Sequence, residues 1–187
     1  MEHKPEGKQA PSTKPVSELY LNIRTLAGVL AVLILIFTFV VRIIVVSGPS
    51  MENTLYNGDA MVVWSLGYSP KQGDVVVLTQ PSYQEDSIVK RIIATGGQHV
   101  TIDYGSNTVY VDGQALEEDY TKEWMLIPSY GLGNWDLTVP EGYLFVMGDN
   151  RNESADSRYP TIGLIDQRCV IGKVLMVAFP FSHFGRL

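Results

Sequence analysis

Residues 26–41, LAGVLAVLILIFTFVV, carry no charge, and Arg42 and then IIVV extend the apolar stretch to Val46. No other feature constrains the chain as much. Read as one helix over residues 25–46, the segment rises about 33 Å, enough to cross a hydrocarbon core of about 30 Å. A soluble helix of that length would show a polar face, and this one has none. Arg42 lies near one end, where its stem can keep the guanidinium at the headgroups. A long segment precedes the run and no A-x-A-like site closes it, so the expectation is an uncleaved anchor over residues 17–46. Residues 1–16, rich in Lys, Pro and Glu, read as a disordered tail.

Basic residues set the orientation. Lys4, Lys8, Lys14 and Arg24 precede the run, and residues 47–66 hold no Lys or Arg. The expected N-terminus is therefore cytoplasmic, with residues 47–187 outside the cell membrane. That outer part has 9 Lys and Arg against 17 Asp and Glu, so no basic patch invites nucleic acid. Cys169 is the sole cysteine and the histidines are His3, His99 and His183, which excludes an intrachain disulfide and any Cys/His cluster with metal-ligand spacing. The stretch ATGGQ lacks the Lys-Ser/Thr of a phosphate loop and reads as a turn, so no nucleotide, metal or other cofactor is expected.

The outer part reads as a mainly β domain. Residues 59–64, 73–79, 87–94 and 99–103 are short, β-branched and bounded by Gly, Pro or Asn. YGSNTVYVDGQAL holds two turn signals around a short strand, and GYLFVMGDN and RCVIGKVLMVAFP supply two further strands. Segment 104–140, with Trp124, Pro128 and GLGNW, reads as a small inserted subdomain or a long loop over a site.

Three places can carry chemistry. Ser50 follows Gly48 and Pro49 in a tight turn that would expose a side chain and backbone N–H groups. Lys90, in SIVKRII, shares a strand face with Ile88 and Ile92 if the segment is extended. A lysine there loses solvent and its pKa falls, which can leave an amine able to accept a proton; a sheet-edge lysine that blunts aggregation fits the same residues. GDNRNESADSR, residues 148–158, places alternating charges directly after an apolar strand, in the manner of an internally paired loop or a solvated one. Asp156 and Arg158 are a candidate pair, with Ser154 beside them.

In order and wording, SGPSM, VKRIIATGGQ and GDNRNESADSR resemble the sequence boxes of the type I signal peptidases, in their compact Gram-positive form. These are membrane-anchored serine proteases that remove signal peptides from exported preproteins. The resemblance implies a body of antiparallel β-sheets, related to the self-cleaving Ser/Lys repressors, behind a single N-terminal transmembrane helix. It implies Ser50 as nucleophile, Lys90 as general base and Ser154 as the serine that orients the lysine amine. Asp149, Asp156 and Arg158 match residues that hold the shape of the site, and Met51 matches one that lines it. The Ser50 backbone N–H is the expected oxyanion donor. Some relatives place a serine hydroxyl where this chain has Gly48, and the family often has proline where Asn53 stands. Cleavage after A-x-A sites is expected, with signal-peptide-bearing preproteins and the lipid bilayer as partners.

Two other readings compete. A sortase-like transpeptidase would use Cys169 with a histidine and Arg168, but QRCVIGK lacks that family's motif and a lone Cys at a strand start usually belongs to a core. A non-catalytic anchored β-module would leave Ser50 and Lys90 dispensable.

Overall fold

The computed structural model describes residues 14–80, 84–126 and 135–187; the expected tail over residues 1–13, Pro128 and residues 131–134 lie outside them. The chain divides into two units at Thr38 and Phe39. The described part of the first is helix α1 (Lys14–Phe39) up to Thr38. Pro15 stands in its first turn, where a missing N–H costs nothing. Lys14, Pro15 and Val16 are thus helical where a disordered tail was expected. Within α1, Ser17–Thr38 is long and apolar enough to cross a membrane.

The expected helix through Val46 ends early. Residues Val41–Val45 form strand β1 instead, paired with β2, Ala60–Trp64, from Val41 opposite Trp64 to Val45 opposite Ala60. The cause is local composition. VRIIV is dominated by β-branched residues, which pack better on a pleated sheet than around a helix. An uninterrupted apolar run carries no periodicity to mark the change. Arg42 accordingly sits exposed on a strand and not at a helix end.

The second unit is antiparallel β throughout, as expected. The remaining strands are β3 (Val75–Gln80), β4 (Gln84–Thr95), β5 (His99–Asp103), β6 (Thr108–Val111), β7 (Gln114–Ala115), β8 (Asp136–Thr138), β9 (Tyr143–Met147), β10 (Ile165–Asp166), β11 (Val170–Phe179) and β12 (Gly185–Arg186). The large sheet runs β1-β2-β11-β3-β4-β9-β10, with β12 on β11; the small sheet runs β7-β6-β5-β8. The Asp112–Gly113 turn, both residues at positive φ, joins β6 to β7, the hairpin chemistry that Asp-Gly favours. Residues 95–98 of ATGGQ turn β4 into β5, with Gln98 Oε1 accepting from the Thr95 N–H.

Strand β4 organises the molecule. Its first part pairs with β3, Lys90 opposite Val76; its last part pairs with β9, starting at Arg91 opposite Met147. Alternation sends Ile88 and Ile92 into one cluster with Val76, Leu78 and Leu144, while Val89 packs on the other face against Met51, Leu55 and Val77. A third cluster joins the two sheets, with Ile93, Phe145 and Met147 against Val100, Ile102 and Val109. Segment 104–140 therefore contributes β6, β7 and β8 to a sheet, completed by β5, that shares a core with the large one.

Phe145 is fully buried and meets Trp135 edge to face at 5.8 Å. Phe145→Ala is expected to cost about 3–5 kcal/mol, measured by urea unfolding of the detergent-solubilised chain with tryptophan fluorescence as the signal.

Candidate active site

The Ser50 turn hangs from a pinched base. Val46 N–H donates to the Asp59 carbonyl at 2.8 Å and Gly58 N–H returns to the Val46 carbonyl at 2.9 Å. Gly48 has φ +95°, a conformation open to glycine, and its N–H donates to Asn57 Oδ1 at 3.0 Å. Beyond Ser50 the chain coils back, Leu55 N–H to the Met51 carbonyl at 2.8 Å, and both Met51 and Leu55 are buried in the sheet cluster. A buried side chain immediately after Ser50 thus anchors its backbone. Asn53, where proline was the family's usual residue, has φ +93°. Proline is fixed near −65° and cannot form this turn.

Lys90 reaches Ser50 from β4. Its Nζ stands 2.7 Å from Ser50 Oγ, and the residue is 3% exposed. Loss of solvent pushes the amine down to about 8. The charges of Asp156 and Asp149 oppose that fall, and Arg158 assists it. The desolvation argument made from Ile88 and Ile92 therefore holds in the folded chain.

Residues 148–158 form an internally bonded loop. Asp156 is fully buried and accepts from Arg158 Nε at 2.8 Å and Arg158 Nη2 at 2.9 Å. It also accepts from Gly148 N–H at 3.1 Å and Ser154 Oγ at 2.8 Å. Burial resists ionisation of this carboxyl, but Arg158 and the other donors hold it below the usual range. Among the described residues the Ser154 hydroxyl bonds Asp156, while the Lys90 amine meets Ser50. The Ser154 hydroxyl thus directs its proton to the carboxylate and keeps its lone pairs for a donor.

Asp149 accepts both Nε and Nη2 of Arg91, at 2.8 and 2.7 Å, with Thr54 Oγ1 as a further donor. Asn150, next in line, donates its N–H to the Ser50 carbonyl and its Nδ2 to the Pro49 carbonyl, both at 3.1 Å. Sequence reasoning missed Arg91, Asn150 and Gly148. Arg91 falls by alternation on the face opposite Lys90, where no local pattern names a partner, and Asn150 lies inside GDN with nothing to say that it faces residues 49–50. A Cβ at Gly148 would collide with Ser154 Oγ and the Ser50 carbonyl oxygen, so glycine lets the loop and the Ser50 turn touch.

Ser50, Met51 and Lys90 line a cleft of about 460 Å³, together with residues 44–49, residues 86–89 of β4, Glu153 and Ala155. The Cys169 alternative finds its members apart. Cys169 packs against the cluster around Val76 and Ile88, Arg168 pairs with Asp166, His183 with Asp59 and His99 with Thr138 and Asp136.

Gly148→Ala forces the loop and the Ser50 turn apart. It is expected to cost about 1–3 kcal/mol, as overpacking does, measured by the urea midpoint against wild type.

The family model described as signal peptidase, peptidase S26, matches residues 20–179. A probable signal peptidase I-1 of Synechocystis is 35% identical, covering 96% of this chain and 92% of its own. Signal peptidase IB of Staphylococcus aureus is 32% identical, covering 89% of this chain and 93% of its own. A crystal structure of a signal peptidase I from Enterococcus faecalis superposes with a TM-score of 0.47 at 29% identity, covering 57% of this chain and 97% of that one. With the family match reaching from the apolar helix to the end of β11, the chain belongs to the signal peptidases of peptidase family S26.

Proposed function

We propose that this chain is a membrane-anchored serine endopeptidase that removes signal peptides from exported preproteins, with Ser50 as nucleophile and Lys90 as general base. The observation that carries the reading is the 2.7 Å approach of a desolvated lysine amine to the Ser50 hydroxyl. A serine hydroxyl is a weak nucleophile until a base takes its proton, and an amine lowered to about 8 holds a useful neutral fraction near neutral pH.

The steps follow from that pair. Neutral Lys90 accepts the Ser50 proton as Oγ bonds the scissile carbonyl carbon, and the carbonyl π electrons move to oxygen. The Ser50 N–H faces the resulting oxyanion as a fixed donor. Gly48 brings no hydroxyl there, and its own N–H is engaged by Asn57. The ammonium of Lys90 then gives its proton to the departing amine as the C–N bond breaks, leaving an acyl ester on Ser50. Lys90 next deprotonates water, which attacks the ester, and the proton returns to Ser50 Oγ. Asp156, Arg158 and Ser154 hold the loop beside Lys90, Asp149 braces it through Arg91, and Met51 lines the cleft. No step calls on a cofactor.

Residues 86–90 of β4 lie before the point where β9 joins at Arg91, so that edge is open to an extended substrate. Alternate side chains of such a strand face one side. The −1 and −3 residues would then both meet the cleft walls, where Ile44, Val46, Ile88 and Val89 stand and admit small side chains, as in A-x-A sites. Attachment is supported by Ser17–Thr38. It is supported too by exposed apolar residues on the body, Ile43, Val45, Phe179, Phe181 and Phe184, with Val45 aligned through Ala60 to Phe179. The basic residues before the helix favour a cytoplasmic N-terminus. Ser50 then lies on the side of the membrane where a substrate's cleavage site emerges, at most about 43 Å of extended chain beyond the span.

The test is cleavage of a preprotein with an A-x-A site by the detergent-solubilised full chain. Wild type is expected to cut after the −1 residue, and folded Ser50→Ala and Lys90→Ala to fall by about 10⁴-fold or more. Cutting by Ser50→Ala would remove Ser50 as nucleophile. The rate is also expected to rise with pH and level off above about 8, because only the neutral amine accepts a proton. A rate that stays flat from about pH 6 to about pH 10, with chemistry limiting, would exclude a lysine base.

A further inference from the structure

Residues 118–122 cross beside the candidate site without lining its cleft. Asn53 Nδ2 donates to the Tyr120 carbonyl at 3.1 Å, and Lys122 N–H to the Asp149 carbonyl at 3.1 Å. Glu118 pairs with Arg151 and accepts the Tyr120 hydroxyl at 3.0 Å. The Tyr120 ring lies against Arg91, whose Cζ is 3.9 Å from the ring centroid.

That contact is the one the rest of the site feels. Arg91 spends its in-plane donors on Asp149, the Gly73 carbonyl and Thr54. The face of the guanidinium is still open to a planar partner, and an aromatic ring is the side chain suited to it. Arg91 follows Lys90 on β4, so whatever holds Arg91 holds the lysine's strand. Through Asp149 it also holds Asn150, which binds the carbonyls of Pro49 and Ser50. The same guanidinium therefore braces both members of the proposed dyad from behind. The Tyr120 ring keeps it from swinging off the Asp149 plane.

We propose that Tyr120 is a positioning residue for the peptidase reaction, its ring face holding Arg91 on Asp149 and thereby setting the approach of Lys90 to Ser50. This rests on the Ser50/Lys90 reading. Because Tyr120 and Arg91 lie outside the cleft lining, the effect belongs in kcat and leaves KM unchanged.

The test compares wild type, Ser50→Ala, Lys90→Ala, Tyr120→Leu and Tyr120→Phe as full chains in detergent, with kcat, KM and melting temperature read for each. Tyr120→Leu is expected to lower kcat by about 10- to 100-fold at unchanged KM, and Tyr120→Phe, which keeps the ring, to stay within about twofold of wild type. A second series places progressively ring-fluorinated phenylalanines at position 120. These keep the shape and the fold while draining negative charge from the face, and kcat is expected to fall stepwise. If Ser50→Ala or Lys90→Ala remains active, the dyad reading fails and the proposal falls with it. If both are inactive but kcat is indifferent to fluorination, the proposal alone is overturned. Equal losses in Tyr120→Phe and Tyr120→Leu would shift the role to the hydroxyl on Glu118 and overturn it as well.

Discussion

One amine must stay dry. Lys90 is a cation by default, and its proposed use requires the neutral form, so the surroundings have to remove water without supplying a countercharge. The fold meets both demands with one strand. Ile88 and Ile92 flank Lys90 on its own face, and Val76 stands opposite it. Desolvation is the dominant influence on its proton affinity. The neighbouring carboxylates would undo this if they were free. Each is committed instead: Asp156 to Arg158 and Asp149 to Arg91, both as paired bonds to a guanidinium. A carboxylate that already has its cation exerts much less pull on a second one, and Arg158 adds a push of its own.

Those ion pairs are a poor way to gain stability. Removing two charges from water costs about as much as their attraction returns, and apolar replacements of equal volume often do better. Their use here is directional. A guanidinium fork holds a carboxylate in one plane, and the oxygens of Asp156 then take up Gly148 N–H and Ser154 Oγ. A loop built this way has few alternative arrangements, because each would strand a buried charge. That rigidity reaches the Ser50 turn through Asn150, and Gly148 allows the contact because it has no side chain.

The parts of the fold legible in the sequence are those with local causes. Short β-branched or apolar runs bounded by turn residues marked β2, β3, β5 and β9, and Asp112–Gly113 marked its hairpin. Lys90 between two isoleucines allowed burial beside a sheet-edge role, and the alternating charges of 148–158 allowed pairing beside a solvated loop; the fold buries the one and pairs the other. What escaped had causes elsewhere in the chain. An apolar run does not say where a helix becomes a strand, so β1 was read as part of the anchor; its identity depends on pairing with β2. The left-handed turn at Asn53 depends on Met51 and Leu55 being drawn into the core. Ser154 also donates to Asp156, two residues away, a bond that its place in the motif did not specify. Tyr120 lies in a polar segment with no periodicity, and its partner is 29 positions earlier.

The architecture also reconciles a dry base with a reaction that consumes water. Ser50 and Lys90 sit at the lining of an open cleft, and the groups that shape them approach from behind, through Arg91, Asp149 and Asp156. A substrate laid along residues 86–90 would close the open side with its own backbone and small side chains, so the lysine loses its last solvent only when there is a bond to cut. The amine that leaves first is replaced by water from the same open side. Positioning comes from the groups behind β4, and the proposed substrate, laid along the open edge of residues 86–90, completes the solvent exclusion that the protein begins.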